Sequence, residues 1–358
     1  MKIVNLLPIL AFGDAVGNDA LAIHKGLRDL GYESVLAACS VDDRITACEK
    51  VLSANDLSFI TEEDLVLYHF STGHKLNWEF GNLKCRKILR YHNVTPPHFF
   101  CGYHKDLLMN CMQGYQDLVR LNGKVECCIA DSEYNKSELI RMGFRCSIDV
   151  VPVLIPFEDY KKKPDKMILQ KYQNDGYVNF LFTGRISPNK RQEEVIAVFD
   201  AYQKKYNPKS RLFLVGKYDG MENYCGKLKR YVKDLGTKNV IFTGHIRFDE
   251  ILSYYQVADL FLCMSDHEGF CVPIVEAMNF NIPIVAKAVT AVPETMGEGG
   301  IAIAKDTSFA EIAEVCNQIL NDTEKCNVMR EKQIERLNAF CYNRVLEEIL
   351  QVVQSKVS

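Results

Sequence analysis

Short apolar runs alternate along the chain with stretches whose apolar positions recur at helical spacing. The runs at residues 2–7, 65–69, 87–92 and 125–130 read as strands. After a break, the same rhythm resumes with runs at 179–186, 211–217, 240–244, 259–264 and 283–288. Between them fall helical patterns. One covers 19–30 and is closed by Gly31; another covers 191–206, with Val195, Val198, Phe199 and Tyr202 at core-facing spacing. A later one sets Ile312, Val315 and Ile319 on one face. Strands alternating with crossover helices predict parallel sheets, because parallel neighbours need such a connection. The break lies at 151–166, where Pro152, Pro156 and Pro164 flank Lys161-Lys162-Lys163 and read as a solvated linker. The predicted fold class is therefore α/β, with two doubly wound Rossmann-like domains facing a central cleft. Loop chemistry is expected at the carboxyl ends of the strands.

Composition narrows the picture without deciding it. A chain of 358 residues suits two separate cores better than one. The net charge is -3. Residues 1–155 carry 16 basic and 19 acidic side chains and residues 156–358 carry 27 of each, so neither half is a basic module and no nucleic-acid partner is expected. No apolar run approaches the roughly 20 residues that span a bilayer. Lys2 precedes an apolar stretch, and Ala20-Leu21-Ala22 resembles a cleavage site. Asn5 and Pro8 interrupt that stretch, however, which argues against a secretory leader. None of the 14 cysteines forms a Cys-x-x-Cys pair, adjacent Cys127-Cys128 fits no zinc pattern, and Cys263 sits inside an apolar run. This usage reads as reduced and cytoplasmic.

Three segments carry candidate chemistry. The first runs from Ser265 to Met278. It places Glu268 in a strand-to-helix loop, Pro273 at the first turn of a helix and Glu276 about one turn in. Gly269 allows close backbone approach, the amides of Phe270 and Cys271 are placed to face an anion or sugar hydroxyls, and a carboxylate such as Glu276 suits a ribose diol. Acids are also favoured at helix N-termini by the dipole alone. The second segment, Phe182 to Arg191, carries Arg185 and Lys190, which suit phosphate oxygens as a fork and a point charge; the plainer alternative is two solvated cations. The third is a pair of histidines at strand ends, His69 and His92, suited to sugar hydroxyls or a proton relay if they are not simply satisfied loop histidines.

Several signatures are missing. The sequence has no G-x-G-x-x-G, and the spacing from Gly220 to Gly226-Lys227 does not make a phosphate-binding P-loop. It has no Asp-x-Asp, so a magnesium-held diphosphate is not indicated and no metal or cofactor is expected.

Together these segments resemble family-4 glycosyltransferases of the GT-B fold. Glu268 and Glu276 match an E-x7-E motif, and Arg185 and Lys190 look like that family's diphosphate-binding pair. Residues 12–19 resemble its first glycine-bearing loop, with Gly17 where many relatives have a glycine pair. Tyr91-His92-Asn93-Val94-Thr95-Pro96-Pro97 resembles a bacterial branch that builds surface polysaccharides. The resemblance implies roles. Arg185 and Lys190 would hold the donor diphosphate, and Glu276 the ribose. Glu268 with the amides of Gly269, Phe270 and Cys271 would hold the donor sugar. His245 and Ile246 would meet the base, Gly17 would lie beside the diphosphate, and His92 would contact the sugar from the other domain, which makes His92 and Glu268 the candidate catalytic residues. It also implies domains at 1–155 (acceptor side) and 156–338 (donor side), with a last helix in 339–358 crossing back to the first.

The reaction so implied is metal-independent and retaining. A hexose moves from a UDP- or GDP-sugar to a hydroxyl of an oligosaccharide acceptor, often lipid-linked, at the inner face of the cytoplasmic membrane. Same-face substitution is favoured over double displacement, with the leaving diphosphate taking the acceptor proton. The alternatives are a sugar-nucleotide epimerase and a non-catalytic partner subunit on the same fold. Lys84, Arg86, Lys87 and Arg90, beside the aromatics of residues 98–103, form a candidate patch for weak peripheral membrane contact.

Overall fold

The computed structural model describes residues 1–356 and divides into two compact units. The first comprises Met1–His98, Asp106–Pro156 and the described part of Ala339–Ser358; the second comprises Phe99–Lys105 and Phe157–Asn338.

The first unit is built on seven strands: β1 (Ile3–Leu10), β2 (Ser34–Val41), β3 (Val51–Ser53), β4 (Leu65–Phe70), β5 (Arg86–Tyr91), β6 (Cys127–Ala130) and β7 (Ser147–Val150). They pair in the order β3-β2-β1-β4-β5-β6-β7, every pair parallel. The order reverses between β1 and β4, which defines a switch point at their carboxyl ends. The central strands are buried on both faces and read as continuous apolar runs, as the covered strands of a parallel sheet do. The four strands at 2–7, 65–69, 87–92 and 125–130 are present with shifted ends, while β2, β3 and β7 escaped the sequence pattern.

The helix after β1 spans Ala15–Asp29, four residues earlier than the sequence suggested, because Asp14 caps it and accepts from the Gly17 amide at 3.3 Å. Gly17 therefore lies inside the first helical turn and not in the loop. A Cβ there would stand 3.0 Å from the Ala11 carbonyl oxygen and 3.2 Å from Leu10 Cδ1. Its glycine serves the packing of this helix on β1; the loop residue with positive φ is Gly13. The last helix, Tyr342–Gln354, sends Val345, Leu346, Ile349 and Val353 into the same core as Ile23 and Leu27. Contact is close at Gly26, where a Cβ would meet Leu346 Cδ2 at 2.6 Å.

The second unit holds β8 (Val178–Thr183), β9 (Ser210–Val215), β10 (Val240–Gly244), β11 (Leu260–Cys263), β12 (Ile284–Lys287) and β13 (Ile301–Ile303). Their order is β10-β9-β8-β11-β12-β13, again all parallel, with the reversal between β8 and β11. Val195, Val198, Phe199 and Tyr202 of helix Gln192–Lys205 are buried as their spacing predicted. On helix Phe309–Asn321, Ile312 and Ile319 are buried with Cys316, and Val315 is half-buried.

The proposed membrane patch is corrected by burial. Arg90 is fully buried: Nε and Nη2 donate to the Asp19 carboxylate at 2.6 and 3.0 Å, and Nη1 and Nη2 donate to the Val151 and Pro152 carbonyls. Lys87 turns its ammonium onto the Leu83 carbonyl. Phe100 is buried, and Tyr103 packs edge-on against Tyr224 under the Lys227 ammonium. Only Lys84 of the four cations is exposed, so the cluster is not a basic surface.

Candidate functional site

β8 and β11 flank the switch point of the second sheet, and the loops that leave their carboxyl ends carry six of the predicted residues: Arg185, Lys190, Glu268, Gly269, Phe270 and Cys271. After β8, the chain passes Gly184 at φ 137 and Arg185, then enters the 3-10 turn Pro188–Lys190. After β11, it runs through Ser265 to Cys271 and enters helix Val272–Asn279, whose first turn carries Pro273. The loops are tied together. Asp266 N donates to the Asn189 carbonyl at 2.8 Å, and Asn189 Nδ2 donates to the His267 carbonyl at 3.3 Å. Gln192 fixes the first loop from within, accepting from Ser187 N and donating to the Arg185 carbonyl. Buried Lys287 bridges Asp266 and Glu194 beneath.

At the centre, Lys190 Nζ donates to both carboxylate oxygens of Glu268, at 2.7 and 2.6 Å, and Ser265 Oγ donates to Oε1 at 2.7 Å. The Glu268 side chain is 8% exposed and Lys190 21%. Burial is the largest single influence and pulls the Lys190 ammonium down, but the Glu268 charge, its hydrogen bond and the neighbouring Cys271 and Cys263 together raise the pKa, so Lys190 stays protonated. Glu268 N donates to Thr290 Oγ1 at 3.0 Å. Around this pair the backbone is strained: Arg191, Cys271 and Thr290 have φ of 51°, 80° and 49°. The other positive-φ residues of the described chain, glycines aside, are all asparagines, which tolerate that region. A β-branched residue there is a genuine outlier, and strain of this kind gathers at functional sites.

Glu276 is held differently. Tyr160 Oη donates to Oε1 and Tyr255 Oη to Oε2, each at 2.5 Å, and Thr183 shares a hydrogen bond with Tyr255. Burial pushes the Glu276 carboxyl above its usual range, against the pull of the two phenols. Neither tyrosine was visible as a partner in the sequence: they lie 116 and 21 positions away, and no motif spacing links them. Arg185 is exposed, with Nη2 donating to the Asp219 carbonyl at 3.1 Å. Gly269 is partly exposed, whereas Phe270 and Cys271 are buried, and Thr295 Oγ1 donates to the Phe270 carbonyl. His245 is exposed and Ile246 half-buried just after β10, beyond Gly244 at φ 70.

In the first unit, His92 follows β5 with its side chain 3% exposed. Its Nδ1 pairs with Asp131 Oδ2 at 2.8 Å, and its Nε2 lies 3.0 Å from Nδ1 of fully buried His69. The sequence offered both histidines to a sugar. The structure instead engages both His92 nitrogens inside the unit and seals His69 beneath, with its Nε2 3.4 Å from Asn5 Oδ1. Buried ring nitrogens need such partners.

Among the described residues, two groups of side chains bring three ligand-type atoms within 4.8 Å: Asp19, His69 and His92, and Cys263, Glu268 and Cys271. In each, both oxygens of the carboxylate already carry a protein cation, Arg90 on Asp19 and Lys190 on Glu268. That donor set is poor for a metal as it stands.

Two parallel doubly wound units, with cations and glutamates on the loops of one switch point, define a GT-B fold. Residues 165–336, most of the second unit, match the family model of glycosyl transferases, group 1. Among solved structures, Anabaena Alr3699/HepE in complex with UDP and glucose aligns over 99% of this chain and 100% of its own, with a TM-score of 0.77 at 21% identity. WaaG, a glycosyltransferase involved in lipopolysaccharide biosynthesis, aligns over 98% and 99% with a TM-score of 0.74 at 13% identity. These likenesses establish the fold. Among curated proteins, O-antigen chain mannosyltransferase B of Escherichia coli is 27% identical over 66% of this chain and 62% of its own length. O-antigen chain mannosyltransferase RfbU of Salmonella typhimurium is 27% identical over 64% and 63%. The match thus spans less than two thirds of either relative.

Proposed function

We propose that the chain is a retaining hexosyltransferase that moves a sugar from a UDP- or GDP-sugar to a saccharide hydroxyl in surface-polysaccharide assembly, without a metal. The observation that carries this reading is the placement of Arg185, Lys190 and Glu268 on the loops of one switch point, with Glu276 in the helix that follows, all inside the residues that match the family. The relatives named for mannose transfer to O-antigen chains, and the neighbour solved with UDP and glucose, support a hexose and a polysaccharide product.

In this reading Arg185 supplies a fork for the donor diphosphate and Lys190 a point charge. Charge grows on the diphosphate as the glycosidic bond breaks, so cations already in place lower the barrier with little reorganisation. Lys190 arrives paired: a diphosphate has to share it with Glu268, which leaves that carboxylate free to accept from sugar hydroxyls. Glu276 keeps a lone pair on each oxygen beyond its tyrosines and accepts from the ribose diol. His92, with both nitrogens engaged inside the first unit, acts by holding the end of β5 and takes no proton. The leaving diphosphate takes the acceptor proton on the same face.

The test is a panel of nucleotide sugars, UDP-glucose and GDP-mannose included, in EDTA, read by calorimetry and by slow donor hydrolysis. Binding of one base with release of its sugar is expected. Absence of binding by every nucleotide sugar, UDP and GDP would overturn the reading, and an epimerised donor formed without acceptor would replace transfer by epimerisation.

A further inference from the structure

Away from the switch points, two sulfurs meet on the far side of the first sheet. Cys128 lies in β6, and Cys146 immediately precedes β7, the edge strand. The register pairs Cys128 with Ile148. Side chains alternate along a strand, so Cys146, two residues before Ile148, sits on the same face as Cys128. Their Sγ atoms are 3.7 Å apart and share a hydrogen bond. Cys128 is fully buried, whereas Cys146 is partly open to solvent. Adjacent Cys127 points to the other face, into the core with Ile129.

The asymmetry between the two thiols is chemical as well as steric. The hydrogen bond shared with Cys128 draws the Cys146 thiol down to about 7; burial opposes this, Lys356 adds to it and Glu126 detracts. The same bond, with burial, holds Cys128 far up as a thiol. A half-exposed sulfur that ionises easily, beside a buried one that does not, is the arrangement of an attacking and a resolving cysteine.

We propose that Cys146 and Cys128 form a reversible thiol–disulfide site, with Cys146 attacking a peroxide and Cys128 resolving the product. In the first step the Cys146 thiolate attacks one peroxide oxygen. The S–O bond forms, the O–O bond breaks, and the departing alkoxide or hydroxide takes a proton from solvent. In the second step Cys128 sulfur attacks the sulfenic sulfur. The S–S bond forms and the S–O bond breaks, and water leaves with the Cys128 proton. The two thiols lose two electrons and two protons, and the peroxide is reduced to an alcohol, or to water, with a second water released. The sulfurs must close from 3.7 Å to about 2.05 Å. The edge position of the β7 strand allows this with a small shift, because only one side of it is held by a neighbouring strand. The inference is independent of the sugar-transfer reading.

The experiment treats the reduced full chain with hydrogen peroxide in modest excess, quenches with an alkylating agent under denaturing conditions, and maps peptides by mass. Expected is a linked pair of peptides containing Cys128 and Cys146, lighter by two hydrogens than the sum of the free peptides and restored by dithiothreitol. The exposed Cys48, Cys101 and Cys341 serve as controls and should oxidise at least about tenfold more slowly than Cys146. Cys128→Ser should trap Cys146 as a dimedone-reactive sulfenic acid, and Cys146→Ser should leave Cys128 reduced. Failure to find the linked pair, or oxidation of Cys146 no faster than of the exposed controls, overturns the proposal. Because wild type carries the primary readout, a poorly folding variant does not rescue it.

Discussion

Lys190 and Glu268 are each other's main partner: one ammonium spans both oxygens of a carboxylate 78 positions away in sequence, at 2.7 and 2.6 Å. The pair is mostly buried, so its two halves are not equivalent under mutation. Lys190→Ala leaves Glu268 as an uncompensated buried charge, and breaking one side of such a pair costs about 3–5 kcal/mol. Glu268→Gln leaves Lys190 partly solvated and should cost less than half as much. Urea unfolding of the two variants checks the order. Equal losses would mean that the pair is looser in solution than drawn.

Arg185 stands at the opposite extreme. It is exposed and its one contact of note is a carbonyl at 3.1 Å. Surface changes of this kind shift stability by about 0.5 kcal/mol or less. Charge-assisted bonds to phosphate are worth about 1.5–3 kcal/mol each. Arg185→Ala should therefore weaken UDP or GDP binding by about tenfold or more while leaving the melting temperature in place. Calorimetry and thermal unfolding on one preparation separate the two.

Glu276 predicts a trade of stability against binding. Burial raises its carboxyl above the ordinary range of a glutamate, so the folded state favours the protonated form. The contribution is most favourable below the unfolded value and declines as pH rises through the folded one, which makes ionised Glu276 a net cost at neutral pH. Glu276→Gln removes the charge and keeps an oxygen for one tyrosine. It should raise Tm at pH 7 by a few degrees, since about 1 kcal/mol moves a domain of this size by about 2–4 °C. It should leave Tm below pH 4 little changed, and should weaken nucleotide binding. A fall in Tm at pH 7 would show that the tyrosine bonds to the charged form outweigh its burial.

How much of this could be read from the sequence depends on how local each cause is. The loops bearing Arg185, Lys190 and Glu268, and the helix start that carries Glu276, were legible because a strand, a turn and a helix follow one another within a short stretch of chain. The partners of Glu276 were not: Tyr160 and Tyr255 reach it only through the fold. Arg90 was misplaced on a surface because a lysine-rich stretch hides that β5 is a central strand, where a cation survives only by pairing with Asp19. Gly17 was placed in a loop because Asp14 was not recognised as the helix cap. His92 was rightly noticed at a strand end, but its direction was not, since Asp131 and His69 claim its nitrogens from two neighbouring strand ends.

That geometry sets the last prediction. If His92 acts by shaping the end of β5, its loss is felt first in the fold. His92→Ala takes the hydrogen bond from Asp131 Oδ2, leaving that carboxylate only the Arg90 guanidinium 3.5 Å from its Oδ1, and leaves His69 Nδ1 without the ring it faces. Each buried group left unsatisfied costs about 1–3 kcal/mol. His92→Asn keeps a short donor for Asp131 but does not reach His69, so it should lose less stability than the alanine variant. Under same-face substitution neither variant removes a proton acceptor. The ratio of their turnover numbers should then follow their melting temperatures, and the pH dependence of turnover should keep its wild-type shape in His92→Asn. Thermal unfolding with steady-state rates from pH 5 to about 9 makes the measurement. Loss of one limb of the profile in His92→Asn, with the fold intact, would make the imidazole a catalytic residue and overturn the positioning role assigned to it.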